Sequence, residues 1–479
     1  MTPAPPSTQQ KAAQINRDAR RYGTFAEIGA GQEVARWFFH VGGAAGTVAK
    51  TMSAYDMAVS DAIYGPAERY VSRQRLQAML DHEFTLLRQR LDALHGAQRT
   101  FFAFANTVAT HSFSRKEEGH GWMGIRFQAE LHGEPSEIVL HIRLLEKENT
   151  HQQEALGVLG VNLIHGAFFQ SQPAALIASL LDNLSWERVE VDMIRFSGPA
   201  FAGVDNRLMA LQLVQQGLTE AAMFTAAGEA AQWSEVLYKK PVLVQRGSFR
   251  PITRSTLDVL ERAREAFRTE LRSTGEEPVV FMEMTLRDLT TGDAIDPKDF
   301  LERAEMLRAL GQTVLISNFR RFHRLAAYLA RYTNRPIGIA LGAVKLGEIF
   351  DETFYNESEG GLLGGLGQLF RVHNRLFVYP MLNLETGEVS TVDTFRIAPK
   401  NWYLYQHLRE NYSIIGLTPS HRDMLPIRSR AVLDKIQAGD STWEELVPAA
   451  VAEIIRGQRL FGWQPPGGSV PASGAMSTP

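Results

Sequence analysis

The sequence contains no cysteine among its 479 residues. This absence excludes disulfide bonds, thiolate catalysis, and zinc or iron–sulfur sites with cysteine ligands. A large excess of one charge is also missing, because 50 Lys and Arg residues are set against 53 Asp and Glu residues. General nucleic-acid binders carry a marked basic excess, so nucleic acid is not predicted as a partner.

Long hydrophobic runs are missing as well. The most apolar stretch, residues 155–169, is interrupted by Asn162 and His165 and is too short to cross a bilayer. The first ten residues are polar and proline-rich, without the basic and apolar segments of a secretory signal. The sequence therefore predicts a cytoplasmic protein that does not bind membranes.

Short apolar runs alternate with helix-like segments eight times between residues 157 and 382. This alternation favours parallel strands, and eight such units are the number that closes a barrel. We therefore predict an α/β fold with a (β/α)8 barrel-like domain; the alternative is an open doubly wound α/β sheet. The predicted strands are residues 160–169, 188–198, 220–228, 241–249, 279–286, 313–319, 337–342 and 376–382.

The rest of the chain suggests further divisions. Residues 13–150 mix helix-like and strand-like stretches and predict an N-terminal α+β region, followed by the barrel-like domain over residues 151–385. Residues 386–463 are mainly helical in pattern and predict a C-terminal cap. Residues 1–12 and 464–479 lack apolar periodicity and are predicted to be disordered tails.

Polar side chains are concentrated near the C-terminal ends of the predicted strands, and a barrel would direct them to one rim. Asp192 and Glu283 lie within apolar runs, where burial would raise the carboxyl pKa and suit either residue to general acid or base catalysis. Lys345 could bind an anion, or act as a nucleophile if desolvated. The other rim residues are His165, Arg195, Ser197, Arg246, Thr285, Arg287, Ser317, Asn318, Arg320 and Tyr379.

Two interpretations of this rim set remain open. Arg195, Arg246 and Arg320 would hold an anionic substrate, with His165, Arg287 and Asn318 beside them, if the strand ends converge. Each residue taken singly is better explained as an interior ion pair or a helix cap. The density of the whole set favours a ligand site.

A predicted hairpin over residues 121–145 carries a second group of cations. Alternation along its strands would bring their side chains together, where they could hold a carboxylate or a phosphate. A solvated sheet face explains the same pattern equally well. The group consists of Arg126, Gln128, His141 and Arg143, with His111, Arg115 and His120 nearby.

Glycine-rich segments are further candidates. Gly29 and Gly31 stand between a strand-like and a helix-like stretch, where backbone N–H groups could bind the phosphate of a cofactor. Val34 occupies the place of the third small residue of the dinucleotide motif, so a plain turn is the alternative. Residues 42–51 lack the spacing of a P-loop. Residues 360–367 suggest either a mobile lid or a structural crossover.

Other chemical signatures are weak. The sequence has no HExxH metal motif and no GxSxG nucleophile motif, so no metal is predicted and no cofactor is specified. Asp205 precedes an amphipathic helix and is predicted to be its N-cap, while Asn206 and Arg207 would face a ligand if their loop lines the rim.

Five stretches of the chain, residues 31–57, 151–168, 204–224, 239–251 and 313–333, resemble an uncharacterised bacterial family. Its members carry conflicting labels, including nicotinate-nucleotide adenylyltransferase. Enzymes of that kind pair an early HxGH phosphate motif with a later ISSTxxR motif. Here Ile316-Ser317-Asn318 matches only the start of the second motif, and Gly119-His120-Gly121 lacks the spacing of the first. The resemblance therefore implies nucleotide chemistry without assigning a catalytic residue.

Three functional hypotheses follow. The first is an enzyme that acts on a small anionic, phosphorylated metabolite by acid–base chemistry at the barrel mouth. The second is a nucleotide-binding or nucleotidyltransferase-like protein. The third is a non-catalytic scaffold that forms homo-oligomers through its long amphipathic helices.

Overall fold

A computed structural model describes residues 4–110, 118–272, 275–292, 294–356, 359–371 and 373–465. The chain divides into two compact units, and the first consists mainly of the residues up to Met223. Glu229–Gln232 also belong to the first unit, and Phe224–Gly228 and Trp233 onward form the second. The predicted boundary near residue 150 therefore lies inside the first unit.

The first unit contains a six-stranded sheet with the order β2-β1-β3-β4-β5-β6. β1 is parallel to β2 and β3, and the remaining neighbours are antiparallel. The predicted hairpin is confirmed as β4 and β5. The strands are β1 (Arg21–Ile28), β2 (Val48–Met52), β3 (Thr100–Ala109), β4 (Gly119–Gln128), β5 (Pro135–Leu144) and β6 (Val189–Ser197).

Helices cover both faces of this sheet. Phe102 and Phe104 belong to the core beneath α2 and α5, whereas Phe101 and Ala103 belong to the core beneath α4, because successive strand residues point to opposite faces. The helices are α1 (Thr8–Arg17), α2 (Glu33–His40), α3 (Met57–Tyr64), α4 (Arg73–His95), α5 (Asn149–Phe169), α6 (Pro173–Ser179) and α7 (Asn206–Gln215).

Helix α1 begins within the segment that was predicted to be a disordered tail. Ser7 and Gln10 form a capping box at its start. Lys11 is completely buried, and its Nζ donates to Asn162 Oδ1 at 2.8 Å and to Asp182 Oδ2 at 2.6 Å. The polar composition of this segment suggested disorder. The helix is anchored by an ion pair with a residue far away in the chain, and composition does not reveal such a contact.

The second unit contains most of an eight-stranded sheet, six strands of which lie wholly within it. These six run in the order β18-β15-β14-β9-β10-β13, and all their pairings are parallel. They are β9 (Val242–Arg246), β10 (Val279–Thr285), β13 (Thr313–Ser317), β14 (Ile337–Gly342), β15 (Arg375–Tyr379) and β18 (Ile414–Gly416). The short strands are β7 (Ala221–Phe224), β8 (Ala230–Ala231), β11 (Thr290–Thr291), β12 (Ala294–Ile295), β16 (Met381–Leu382) and β17 (Val389–Ser390).

Helices connect these parallel strands. Asp296 caps α11 and Pro297 begins it. Residues 361–369 form a helix despite their glycines. The helices are α8 (Trp233–Leu237), α9 (Arg254–Glu270), α10 (Leu286–Leu289), α11 (Pro297–Ala309), α12 (Phe322–Leu329), α13 (Lys345–Ile349), α14 (Gly361–Leu369), α15 (Trp402–Glu410), α16 (Ser429–Ala438) and α17 (Ala449–Gln458).

The strand order of the second unit reverses once. From β9 the chain adds β10 and then β13 on one side, and it returns to add β14, β15 and β18 on the other side. This is the order of a doubly wound sheet, whose switch point lies between β9 and β14.

The predicted closed barrel is therefore wrong, and the alternative of an open doubly wound sheet describes the second unit. Residues 160–169 lie in helix α5 instead of a strand, and residues 188–198 contain β6 of the other sheet. A continuous apolar run does not distinguish a buried strand from a buried helix, which explains the first error. The C-terminal cap is not separate either, because β18 pairs with β15.

Candidate functional site

A cleft of about 260 Å³ lies at the switch point of the doubly wound sheet. It is lined by the C-terminal ends of β9, β14 and β15, by the turn that leads into α9, and by the start of α16. Polar groups in its lining include Gln245, Ser248, Thr253, Ser255, Tyr379 and Arg428.

The start of α9 lines this cleft with Thr253, Ser255 and Thr256. Thr253 caps the helix, because its side chain accepts from Thr256 N at 3.2 Å, while Thr253 N donates to Thr256 Oγ1 at 3.3 Å. The N–H groups of Arg254 and Ser255 have no acceptor among the residues that the structure describes. Such N–H groups, at the positive end of a 17-residue helix, favour an anion.

Gln245 supplies an unsatisfied acceptor. Its side chain is on β9 and only 5% of the residue is exposed. Nε2 donates to Thr256 O at 3.0 Å, but Oε1 has no hydrogen-bond partner. Since buried polar atoms are nearly always hydrogen-bonded, a ligand hydroxyl or amine would complete this group.

Arg428 supplies a cation without a carboxylate. Its guanidinium donates to the backbone oxygens of Leu425 at 2.5 Å, Ile427 at 3.2 Å and Leu382 at 2.7 Å. No carboxylate of the described chain lies within 4.0 Å of it. Desolvation lowers the pKa of Arg428, but an arginine remains charged at neutral pH. The cleft therefore has a fixed and uncompensated positive charge.

Tyr379 belongs to the same cleft, at the end of β15. Its hydroxyl donates to Asp258 Oδ2 at 2.5 Å, and the same oxygen accepts from Ser420 N at 3.1 Å. Burial and the carboxylate of Asp258 raise the pKa of Tyr379 well above its ordinary value. The tyrosine is therefore a neutral donor with a fixed orientation.

Arg246 and Glu283, two of the predicted site residues, satisfy each other. Nε and Nη2 of Arg246 donate to the two carboxylate oxygens at 2.8 and 2.9 Å, and Ser317 Oγ donates to Glu283 at 2.6 Å. The Arg246 guanidinium also lies over the ring of Phe322 at 4.4 Å. Glu283 is completely buried with three donors, so the structure favours an interior ion pair over a general base.

Asp192 lies on β6, in the first unit, and Glu283 and Arg246 lie in the second. The three residues therefore belong to two different sheets and do not share the mouth of one barrel. Asp192 Oδ1 is 2.6 Å from Nδ1 of His141, and the indole of Trp122 lies 5.0 Å from the His141 ring. The error arose because β6, which is antiparallel to its neighbour, and β10, which is parallel to its neighbours, have similar apolar patterns. The sequence pattern therefore did not show that they belong to different sheets.

The other predicted rim residues are also dispersed. His165 lies in helix α5, with Nε2 at 3.0 Å from Gln14 Oε1, and Arg195 lies opposite Val139 in the first sheet. Lys345 is 47% exposed and donates to Glu348 at 2.6 Å, so the desolvation that a lysine nucleophile requires is missing. Arg287, Asn318 and Arg320 are exposed beyond the ends of β10 and β13.

The predicted hairpin cluster consists of compensated cations. Arg126 pairs with Asp81 and with Glu137, the latter at 3.1 Å. Arg143 pairs with Glu118 and Glu190. These carboxylates take the place that an anionic ligand would need. His111 and Arg115 lie outside the described residues.

The turn at Gly29 and Gly31 is closed to phosphate by the chain itself. Both glycines have positive φ, and a Cβ on Gly29 would lie 1.8 Å from Val108 O. The carboxylate of Glu27 accepts from Val34 N at 3.1 Å and Ala35 N at 2.9 Å. Burial raises the pKa of Glu27 to about 7. The predicted cofactor site is thus a turn whose helix N-terminus is occupied by a buried glutamate.

Sequence reasoning missed Gln245, Ser255 and Arg428. Gly247 and Ser248 directly follow an apolar strand, and Thr253 precedes a long amphipathic helix, which together indicate a strand-to-helix turn. Arg428 lies more than 170 residues further along the chain, and no local pattern places it there.

Other site types are not found within the described ranges. No group of three His, Asp or Glu side chains could hold a metal ion there. Among the same residues, helices that combine the length and apolarity needed to cross a bilayer are absent. Asp205 is the N-cap of α7, as predicted, and Asn206 hydrogen-bonds the backbone of Phe196 on β6.

No protein-family model and no curated protein matches the chain. The competence/damage inducible protein CihA from Agrobacterium tumefaciens is 17% identical, with 34% of this chain and 97% of that chain covered and a TM-score of 0.24. A CinA superfamily protein from Enterobacter cloacae is 12% identical, with 35% and 95% covered and a TM-score of 0.25.

A third solved structure is the nicotinic acid mononucleotide adenylyltransferase of Plasmodium falciparum complexed with APC. It is 12% identical, with 47% of this chain and 98% of that chain covered and a TM-score of 0.28. These TM-scores are too low to support a function.

Proposed function

We propose that the second unit binds a phosphate-bearing nucleotide in the cleft at its switch point. The position of the cleft carries this proposal, since it lies outside the carboxyl ends of β9 and β14, where the strand order reverses. Open α/β sheets bind their ligands in this crevice, because the connections on either side of it run to opposite faces.

The polar groups of the cleft match the parts of a nucleotide. The N–H groups of Arg254 and Ser255 and the charge of Arg428 would stabilise phosphate oxygens. Gln245 Oε1 would accept from a ribose hydroxyl or a base amine. The cleft thus combines an anion-binding end with an unsatisfied acceptor.

The nucleotide-binding hypothesis is better supported than the acid–base enzyme at a barrel mouth. Glu283 and Lys345 are engaged in ion pairs, and Asp192 lies in the other unit. The chain also has no HxGH segment. We therefore propose nucleotide binding as the function, without assigning a group-transfer step to particular side chains.

Isothermal titration calorimetry with ATP, ADP and NAD tests this proposal. We expect Arg428→Gln to weaken binding at least tenfold, which corresponds to about 1.4 kcal/mol for a lost charge-assisted contact. Ser255→Asp should also weaken binding, because the new carboxylate would repel the phosphate. The helix itself should remain stable, since a negative charge is favourable at a helix N-terminus.

Arg430→Gln is the matched control. Arg430 lies on α16, the helix whose start lines the cleft. Its side chain is 80% exposed and pairs with Asp434 on the same helix. Its replacement should leave the affinity within about twofold. The proposal is overturned if none of the three nucleotides binds at millimolar concentration, or if Arg428→Gln and Ser255→Asp bind like the parent protein.

A further inference from the structure

A group of arginines lies beyond β10 and β13, the two strands that follow β9 on the side away from the switch point. β10 and β13 are parallel neighbours, and Thr285 pairs with Ser317 at their C-terminal ends. Arg287 follows two residues after Thr285, and Arg320 and Arg321 follow three and four residues after Ser317. All three residues therefore leave the sheet at the edge that carries the cleft.

The loop that bears these arginines is tied to β9. Nη1 of Arg246 donates to the backbone oxygen of Arg320 at 3.4 Å, and the Arg246 guanidinium is fixed by Glu283. The guanidinium of Arg321 lies 3.6 Å from the ring centroid of Phe354. The ring restricts the Arg321 guanidinium, and the Arg246 contact restricts the backbone at Arg320, before any ligand binds.

The charges of these three side chains are not neutralised. No carboxylate in the described part of the chain lies within 4.0 Å of any of them. Three acidic residues nearby have other partners. Glu348 accepts from Lys345 at 2.6 Å, Asp288 accepts from Thr285 Oγ1 at 2.7 Å, and Asp351 accepts from Thr353 Oγ1 at 2.7 Å. Desolvation lowers the pKa of Arg321, and the charges of Arg320 and Arg287 lower it further.

We propose that Arg287, Arg320 and Arg321 form a second anion site that accepts a phosphomonoester on the nucleotide bound in the cleft. In doubly wound folds, an acidic residue beyond the second strand meets the ribose hydroxyls, and an arginine there accommodates a 2′-phosphate instead. β10 is the second strand in chain order of the six, and Arg287 follows it. The fork of a guanidinium matches the oxygens of a phosphate.

This inference rests on the proposed function, because the nucleotide must bind in the cleft. The binding of the additional phosphate depends only on Arg287, Arg320 and Arg321. Calorimetry compares 5′-AMP with 2′,5′-ADP, which differ by the additional phosphomonoester. We expect 2′,5′-ADP to bind at least tenfold more tightly. The double substitution Arg287→Gln with Arg320→Gln should abolish the difference and leave AMP affinity within about twofold.

A matched control removes two charges elsewhere. Arg268→Gln with Arg308→Gln replaces two half-exposed arginines that pair with Glu277 and Glu305. This pair of substitutions should preserve the preference for 2′,5′-ADP, since only screened surface charges are lost. Equal affinities of the parent protein for the two nucleotides would overturn the inference and leave the proposed function intact.

Inorganic pyrophosphate gives a second readout if these two nucleotides, and also ATP, ADP and NAD, fail to bind, which is the outcome that refutes the proposed function. At low ionic strength, pyrophosphate should raise the melting temperature of the parent protein and of the Arg268/Arg308 control. The Arg287/Arg320 variant should lose that increase. The anion site itself is refuted if the increase is missing in the parent protein or unchanged in the variant.

Discussion

The ring of His165 is enclosed by α1 and its own helix. It is 5% exposed and stacks on Phe169 with ring centroids 4.8 Å apart, and Nδ1 has no hydrogen-bond partner. Desolvation and the charge of Lys11 lower the pKa of His165 to about 4. The imidazole is therefore neutral at physiological pH and serves to pack the N-terminal helix.

This pKa predicts a pH dependence of stability. Between pH 6.5 and pH 4 the unfolded chain binds a proton at His165 that the folded chain does not, so the stability of the folded protein decreases as the pH falls. His165→Gln should reduce that decrease by up to about 3 kcal/mol. Urea unfolding at pH 7 and pH 4.5 measures it. A constant difference in free energy between the two proteins would contradict the assignment.

Individual cations show how the chain neutralises charge. Lys11, Arg126 and Arg143 each have carboxylate partners, and Arg126 and Arg143 belong to the predicted hairpin cluster. Arg428 is held only by backbone oxygens. The contrast between compensated and uncompensated cations is what separates the candidate site from the structural ion pairs.

Strands β9, β10 and β13 are joined by a group of side-chain hydrogen bonds as well as by their backbone hydrogen bonds. Arg246, Glu283 and Ser317 are contributed by these three adjacent strands, and the carboxylate at their centre is completely buried. Removing one partner of a buried ion pair leaves an uncompensated charge, which costs more than the pair itself contributes. This contact therefore maintains the edge of the sheet from which the cleft and the arginine group extend.

Glu283→Gln should lower the free energy of unfolding by about 3 kcal/mol, because it leaves the Arg246 charge without a counterion. Chemical denaturation measures this loss. Glu261→Gln, which removes a half-exposed partner of Arg264, should change stability by less than about 0.5 kcal/mol. Equal stability of Glu283→Gln and the parent protein would show that the pair is not structural.

The helices differ in how clearly their sequences indicate a helix. α9 and α11 have side-chain caps and amphipathic periodicity, which are the signals that identify a helix in a sequence. α5 is apolar on nearly every side, because it packs between other helices and the sheet; Gly160, for example, lies against Val34 and Phe104. Such a helix has no polar face, so its sequence resembled a strand.

The described chain forms two compact units, of which the first contains the six-stranded sheet and the second contains most of the eight-stranded sheet. Nucleotide contacts were predicted near Gly29 in one unit, and the geometry places the cleft in the other. Hydrogen exchange distinguishes these places, because a bound ligand slows the opening of the segments that contact it.

We expect ATP or ADP to slow amide exchange in residues 245–256 and 425–429. Mass spectrometry of peptides from the free and nucleotide-saturated protein measures this protection. Residues 27–35 should exchange at the same rate in both samples, since Glu27 already occupies their helix start. Protection restricted to residues 27–35 would instead locate the nucleotide at the glycine turn.

The amino-acid sequence by itself determined the local features of this protein. Apolar runs specified five of the parallel strands, Asp205 and Asp296 specified helix starts, and the absence of cysteine excluded thiolate chemistry. These features depend on neighbouring residues, so a pattern within a short segment is sufficient to define them.

Only the tertiary structure decided which strands are neighbours. The reversal between β9 and β14 creates the crevice that Gln245 and Arg428 line. Asp192 and Glu283 belong to different sheets. Strand order depends on packing between segments that lie far apart in the chain, and a local apolar pattern contains no information about that order.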